Sequence, residues 1–293
     1  MDVLVTGATG FIGSRLVPAL LEGGHEVSVL VRDADRYDAP PGVTVFEGDV
    51  LEPGSFDDAL AGIEAAYYLI HAMGGGEGFE ERDRAGARNF ATAASTAGLE
   101  RVIYLSGLGV DADDLSAHLR SRREVERVLA EGEYALTVLR AAIIVGEGSA
   151  SFRIVRQLAG RLPVMITPRW VRTRVQPIAV ADVIAYLVGV IETPATAGET
   201  YEIGGPEVLT YREVLVETAR AIHGRTPLIV PVPVLTPRLS AYWVDLVTDV
   251  PASVAYPLID GMTTDVVVTD DRIRSVVPIE PTPFDVAVRR ALE

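Results

Sequence analysis

The stretch Thr6-Gly7-Ala8-Thr9-Gly10-Phe11-Ile12-Gly13 decides how this chain is read. It follows an apolar run, Val3–Thr6, and opens an amphipathic one, Phe11–Glu22. Strand, glycine-rich turn and helix in that order form the opening unit of a dinucleotide-binding sheet. The spacing is G-x-x-G-x-x-G rather than the commoner G-x-G-x-x-G. Gly7 suits the tight turn, Gly10 lets backbone approach a pyrophosphate, and Gly13 lets helix lie close against strand. Thr9, Phe11 and Ile12 complete the cradle. The helix start offers unpaired N–H groups and the positive end of a dipole to phosphate.

Outward from this turn, apolar runs alternate with amphipathic ones. Val3–Thr6, Glu26–Val31, Val43–Phe46, Ala65–His71, Arg101–Ser106 and Ala135–Arg140 read as strands. Several are continuously apolar, as in a parallel sheet buried on both faces. Phe11–Glu22, Ser55–Leu60, Phe79–Ala97 and Leu115–Glu131 read as helices, the first bent by Pro18. The alternation predicts an α/β fold, a doubly wound parallel Rossmann-type sheet with a small C-terminal lobe. Helices are expected at Ser149–Leu162, Val180–Ile191 and Tyr211–His223, with a strand at Thr200–Ile203. After Thr226 prolines recur, so elements there must be short. The expected division is a dinucleotide-binding domain over 1–148, with 175–205 returning to it. A small substrate lobe would hold 149–174 and 206–293.

Composition narrows the chemistry. The 293 residues contain no cysteine, so disulfides, thiolate nucleophiles and Cys-based zinc sites are excluded. All 26 basic residues are arginine, which excludes Schiff-base lysines and a Walker lysine. A net charge of −15 argues against binding nucleic acid or anionic lipid. It fits a salt-rich cytoplasm, where screening relieves carboxylate repulsion; a GC-rich coding bias would give the same arginine-for-lysine exchange. The start of the chain does not read as a signal peptide. The longest strongly apolar stretch, Val183–Ile191, is too short to span a bilayer. A cytoplasmic location is expected.

Arg32 follows the second strand, where an adenosine ribose should lie. An acid there suits a 2′-hydroxyl and an arginine a 2′-phosphate, so NADP is expected over NAD. Asp33 is next in line and keeps NAD possible. Asp49 and Val50, after the third strand, are placed to meet the adenine, or Asp49 caps a helix start. His71 ends an apolar run at the carboxyl edge of the sheet, where ligands bind in such folds. His25 reads as structural, and His223 as a helix-end cation. Tyr67 and Tyr68 read as core, and Gly74–Gly76 as a loop or flap. The four histidines show no metal-ligand spacing, so no metal site is expected.

These residues resemble the extended, atypical short-chain dehydrogenase/reductases. More narrowly, the chain is similar to NmrA-like and complex I accessory-subunit-like NAD(P)-binding proteins, whose bacterial members are often described as nucleoside-diphosphate-sugar epimerases. The likeness runs through Leu69–Gly74, Val102–Gly107, His118–Arg122, Leu139–Gly148, Pro168–Arg174, Gln176–Val183 and Ile203–Tyr211, and weakens after Thr226. It implies that Gly7, Gly10 and Gly13 hold the pyrophosphate. It also implies that His71, Ala72 and Met73 line the nicotinamide side, and that Ser106 lies beside the reacting carbon. Standard members carry a Tyr-x-x-x-Lys pair, and this chain has no lysine. His118 and Arg122 take the same i, i+4 spacing on the corresponding helix. Histidine can titrate near neutrality and arginine cannot, so a proton relay there would run through His118, with Ser106 polarising the substrate oxygen. A structural reading makes His118 a helix-start residue and Arg122 an ion-pair partner.

The expected function is NADP-dependent oxidoreduction of a small molecule. The alternative is a dinucleotide-binding regulator or assembly factor that does no turnover, which the missing lysine favours. An epimerase is disfavoured because that chemistry leans on the tyrosine–lysine pair. Between Gly148 and Ala181 there is no acid, yet Arg153, Arg156, Arg161, Arg169, Arg172 and Arg174 lie there with Trp170. This island suits an anionic substrate, the cofactor's phosphates or an acidic partner surface, or its arginines pair with carboxylates elsewhere.

Overall fold

Within β1 (Asp2–Thr6), Val3 and Val5 face one side of the sheet and Leu4 the other, and all three are fully buried. The period of two with apolar residues on both faces is what a strand covered by helices on each side requires. In the computed structural model, residues 1–71, 78–109, 116–162, 164–167, 169–231, 248–249 and 264–293 are described. Ala72 and Met73, expected beside the nicotinamide, and the Gly74–Gly76 loop lie outside them, as does the side chain of Trp170.

Seven parallel strands form the central sheet. They are β1, β2 (Glu26–Val31), β3 (Thr44–Glu47), β4 (Ala65–Tyr68), β5 (Arg101–Gly107), β6 (Ala135–Ala141) and β11 (Thr200–Ile203), in the order β11-β6-β5-β4-β1-β2-β3. The expected doubly wound Rossmann-type sheet is therefore present. The chain winds outward in both directions from β1 and β4, and that switch point opens a crevice at the carboxyl edge. One face is covered by α1 (Gly13–Glu22) and α5 (Val180–Glu192), through Leu16, Leu20, Val183, Leu187 and Val190. The other is covered by α2 (Phe79–Ala97) and α3 (Ala117–Leu129), through Phe90, Ala94, Val125 and Leu129. Pro18 lies on the exposed side of α1, and the helix runs through it.

Two expectations shift. Ser55–Leu60 forms only a 3-10 turn at Asp57–Leu60. The strand expected over Ala65–His71 stops at Tyr68. There the Leu69 N–H turns to the Thr6 hydroxyl (3.2 Å) instead of a neighbouring strand's carbonyl, so Leu69–His71 leave the sheet at the crevice. Tyr67 and Tyr68 are core, and the Tyr67 hydroxyl donates to the Leu187 carbonyl at 2.8 Å.

A third apolar cluster joins α4 (Ala150–Arg161), α6 (Tyr211–His223) and the C-terminal helix α8 (Phe284–Arg290), through Phe152, Val155, Val214, Leu215, Phe284 and Val288. Short two-stranded pieces flank it: β7 (Ile144–Val145) with β10 (Ile178–Ala179), β8 (Val164–Thr167) with β13 (Leu228–Pro231), and β9 (Arg174–Val175) with β12 (Leu209–Thr210). The helix α7 (Ile273–Val276) packs instead beneath the sheet, where Ile273 and Val277 join the α1–α5 layer. Thr210 and Glu213 make a reciprocal capping box at the start of α6. No helix among the described residues is long and apolar enough to cross a membrane.

The net charge of −15 leaves more carboxylates than arginines can pair. Self-repulsion should therefore be large at low ionic strength and vanish near 1 M salt, where the Debye length is about 3 Å. The melting temperature is expected to rise steeply with potassium chloride over that range. A flat curve in a salt-series melt would show that repulsion does not limit stability.

Candidate functional site

The glycine-rich turn is built around one tight crossing at the switch point. Gly7 has φ of +70°, and a Cβ there would lie 2.9 Å from the Leu69 carbonyl oxygen. A Cβ on Gly13 would overlap the Gly7 carbonyl and lie 2.7 Å from Ala8 Cα. These two glycines are demanded by the fold itself. Gly10 differs: a Cβ there would meet only the Gly7 oxygen, at 3.1 Å, and would otherwise enter the crevice. Within the turn the Gly10 N–H bonds Gly7 O (2.9 Å) and the Ser14 N–H bonds Gly10 O (3.0 Å). The amides of Phe11, Ile12 and Gly13 precede the first internal bonds of α1, as an anion cradle needs. Arg15 clamps the turn by donating to Phe11 O (2.8 Å) and Glu147 O (2.9 Å).

Two clefts meet at this turn. The first, about 460 Å³, is lined by Gly7, Thr9, Gly10, Arg32, Asp49, Val50 and His71 among others. The second, about 370 Å³, shares Gly7, Gly10, Leu69 and His71 and adds Phe11, Ile12, Gly13, Ser106, His118 and Arg122. The described residues expected to bind a cofactor or do chemistry thus line one continuous crevice. Its shape and donors fit an extended dinucleotide: a glycine cradle in the middle, an adenosine half beside Arg32 and Asp49, and a polar half beside Ser106. Asp49 also holds its own loop, accepting from the Leu51 N–H at 2.9 Å. Val50 is buried, and its carbonyl accepts from Asn89. Asp33 is bound to Arg36 at 3.0 Å, and both are exposed.

The polar half is built from β5, α3 and the segment after β4. Ser116 caps α3, accepting from the Leu119 N–H at 3.4 Å. That start turns His118, Ser121, Arg122 and Val125 toward the sheet. Arg122 donates to the Leu105 carbonyl (3.1 Å) and the Tyr104 hydroxyl (3.3 Å), which fixes the end of β5 beside Ser106. The rings of His71 and His118 lie 5.1 Å apart. Burial, then the Arg122 charge, then His71 push the His118 pKa down to about 3. That moves the His118 titration well below the neutral range expected of a relay, so His118 is a neutral hydrogen-bonding ring near pH 7. Burial and Arg122 also lower His71, against the support of Asp83. Four buried polar atoms of residues lining the second cleft have no hydrogen-bond partner among the described residues: Ser106 Oγ, His118 Nδ1, His71 Nε2 and Arg122 Nε. Unpaired buried polar atoms are costly, and a ligand is a ready compensation.

Sequence reasoning missed Asp83 and Ser121. Asp83 hides in a charged run, Glu80–Arg84, that reads as a solvated face. Its one signal is register, because it falls on the buried stripe with Gly86, Ala87, Phe90 and Ala94. Elsewhere, His25 is 3.7 Å from Glu192, and His223 bonds the Gly160 carbonyl at 2.9 Å. In the arginine island, Arg161 and Arg174 pair with Asp249 and Asp265. Among the described residues no cluster of three or more potential metal ligands occurs.

The NAD(P)H-binding family profile matches residues 7–189. A protein named ceramide reductase, from Caulobacter vibrioides, is 32% identical over 235 residues, covering 78% of this chain and 72% of the relative. The mitochondrial NADH dehydrogenase 1 alpha subcomplex subunit 9 of Arabidopsis thaliana is 27% identical over 291 residues, covering 92% of this chain and 71% of the relative. The fold is shared with the Citrobacter sp. triphenylmethane reductase solved with NADP(H), at a TM-score of 0.80 and 19% identity, covering 99% of this chain and all of that one. This chain belongs to the NAD(P)H-binding family, among the atypical short-chain dehydrogenase/reductases that its motifs resemble.

Proposed function

We propose that this protein is an NADP-dependent oxidoreductase of a small molecule, working in the cleft between β5, α3 and His71. The observation that carries the proposal is that Ser106, His118 and His71 line the cleft that continues the glycine cradle, and that Ser106 Oγ, His118 Nδ1 and His71 Nε2 are buried there with no hydrogen-bond partner among the described residues. The nicotinamide cofactor, when bound, supplies or accepts a hydride. The chain's own part is orientation and polarisation. The amides at Phe11–Gly13 hold pyrophosphate, and Gly10 gives it room. Ser106 and neutral His118 hydrogen-bond the substrate oxygen. Arg122 keeps β5 and α3 in register and lends positive potential where negative charge develops.

NADP is favoured over NAD by the adenosine end. Arg32 lines the cleft and is exposed, whereas the neighbouring Asp33 carboxylate is already engaged by Arg36. A 2′-phosphate would gain charge-assisted hydrogen bonds from Arg32. Calorimetry is expected to show NADPH bound more tightly than NADH, and Arg32→Ala to erase the gap. Equal affinities in the unaltered protein would refute the selectivity. Turnover is tested with NADPH and a panel of ketones and aldehydes. The absence of lysine, with the likeness over 92% of this chain to a protein named as a subunit of mitochondrial NADH dehydrogenase, favours a second reading, dinucleotide binding without turnover. That reading prevails if NADPH binds tightly and no carbonyl is reduced.

A further inference from the structure

Asp83 carries a carboxylate into the protein interior from the first turns of α2, with its side chain 3% exposed. Its Oδ2 accepts from the Ser121 hydroxyl at 3.1 Å and lies 2.8 Å from His71 Nδ1. An ionised carboxylate only accepts, so Nδ1 must carry the proton. In a neutral ring the lone pair then sits on Nε2. That atom is buried, has no partner among the described residues, and belongs to a side chain that lines both clefts. Burial and Arg122 favour the neutral ring. A histidine held by a buried acid on one nitrogen and open on the other is the arrangement of a proton acceptor.

We infer that Asp83, anchored by Ser121, is a positioning residue that locks His71 in the Nδ1-protonated tautomer, so that His71 Nε2 exchanges the hydroxyl proton of an alcohol/carbonyl substrate pair. This rests on the oxidoreductase reading and moves the proton-exchanging group from His118 to His71. In the oxidative direction the substrate O–H bond breaks and its proton goes to Nε2. The adjacent C–H bond breaks with its electron pair, which leaves as hydride for the oxidised nicotinamide, and the C=O double bond forms. Reduction is the reverse, with the proton returning from Nε2. Ser106 and His118 hold the oxygen while this happens.

The chain has only four histidines, so ring-nitrogen NMR of the uniformly 15N-labelled full-length protein resolves them, with His71→Gln as the assignment control. At pH 8, without cofactor, His71 should show a protonated Nδ1 and a bare Nε2. In Asp83→Asn the tautomer should become mixed or reversed. With NADPH and any ketone the unaltered protein reduces, Asp83→Asn should lower kcat by about 100-fold or more, while KM and NADPH affinity stay within about 3-fold. Ser121→Ala should give a smaller loss of the same kind. A bare Nδ1 in the unaltered protein, or an unchanged kcat in Asp83→Asn, overturns the inference and leaves the oxidoreductase reading standing. Tight NADPH binding without reduction of any panel ketone overturns both, and failure to bind NADPH overturns the cofactor reading itself.

Discussion

Gly13→Ala is expected to lower the stability of this protein sharply, and Gly10→Ala to leave its stability intact but its hold on the cofactor weak. The new methyl at Gly13 would meet the Gly7 carbonyl and Ala8 Cα, which are backbone atoms at the end of β1. No side chain can move aside, so the turn or the start of α1 must shift. Overpacking of this kind costs about 1–3 kcal/mol and more when backbone is the obstacle. A loss of about 3 kcal/mol would lower Tm by roughly 6–12 °C in a domain of this class. At Gly10 the only neighbour is the Gly7 oxygen at 3.1 Å, and φ is not in the left-handed region. The methyl would instead occupy crevice space that a pyrophosphate would use, so NADPH affinity should fall by about 100-fold while Tm moves little. Thermal melts and calorimetry on the two variants check this. The reverse pattern, with Gly10→Ala lowering Tm by that amount and Gly13→Ala only binding weakly, would show that the two glycines have been assigned the wrong roles.

The same turn shows why the fold was legible in the sequence. β1 reads as a strand because Val3, Leu4 and Val5 are apolar on both faces, which only a doubly covered sheet requires. Phe79–Ala97, Thr200–Ile203 and Tyr211–His223 appear with the bounds that periodicity and caps indicate. The short paired pieces outside the central sheet were not legible. β7 and β10 are two residues each and meet across more than thirty positions, too little for any period to register. The end of β4 was missed for a related reason. Leu69–His71 are as apolar as a strand, and what diverts them is a hydroxyl from β1.

The crevice was legible wherever a residue type is rare or tied to a motif: the glycines, Arg32, Ser106, and the histidine and arginine standing where tyrosine and lysine were expected. It was not legible where chemistry depends on a partner distant in sequence. Only its register on the apolar stripe of α2 separates Asp83 from its charged neighbours, and its partners His71 and Ser121 meet it only when the helix packs. Nor could the sequence reveal that burial would remove the titration that made His118 attractive as a relay.

That lost titration has a measurable consequence for stability. His118 in the folded chain is held at about 3, mainly by burial and then by Arg122 and His71. In the unfolded chain it reverts to roughly 6.5. Between those values the unfolded state binds a proton that the folded state refuses, so unfolding free energy rises with pH and is lost as pH falls from 6.5. Each pH unit inside the window is worth about 1.4 kcal/mol for this one group. His71, lowered in the same direction, adds to the slope. The carboxylates with lowered values, Glu213, Asp265 and Asp270, contribute mainly below about pH 5, as their unfolded forms, near 4.5 for Glu213 and 3.8 for the two aspartates, take up protons. The interval from pH 6.5 to 4.5 is therefore dominated by the two buried histidines. Denaturant titrations at its two ends should show the protein losing about 2 kcal/mol through His118. His118→Gln should remove most of that loss while leaving the carboxylate limb below pH 4 in place. If both proteins lose the same stability over the interval, His118 is not buried neutral, and its use as an uncharged hydrogen-bonding group at the substrate oxygen fails with it.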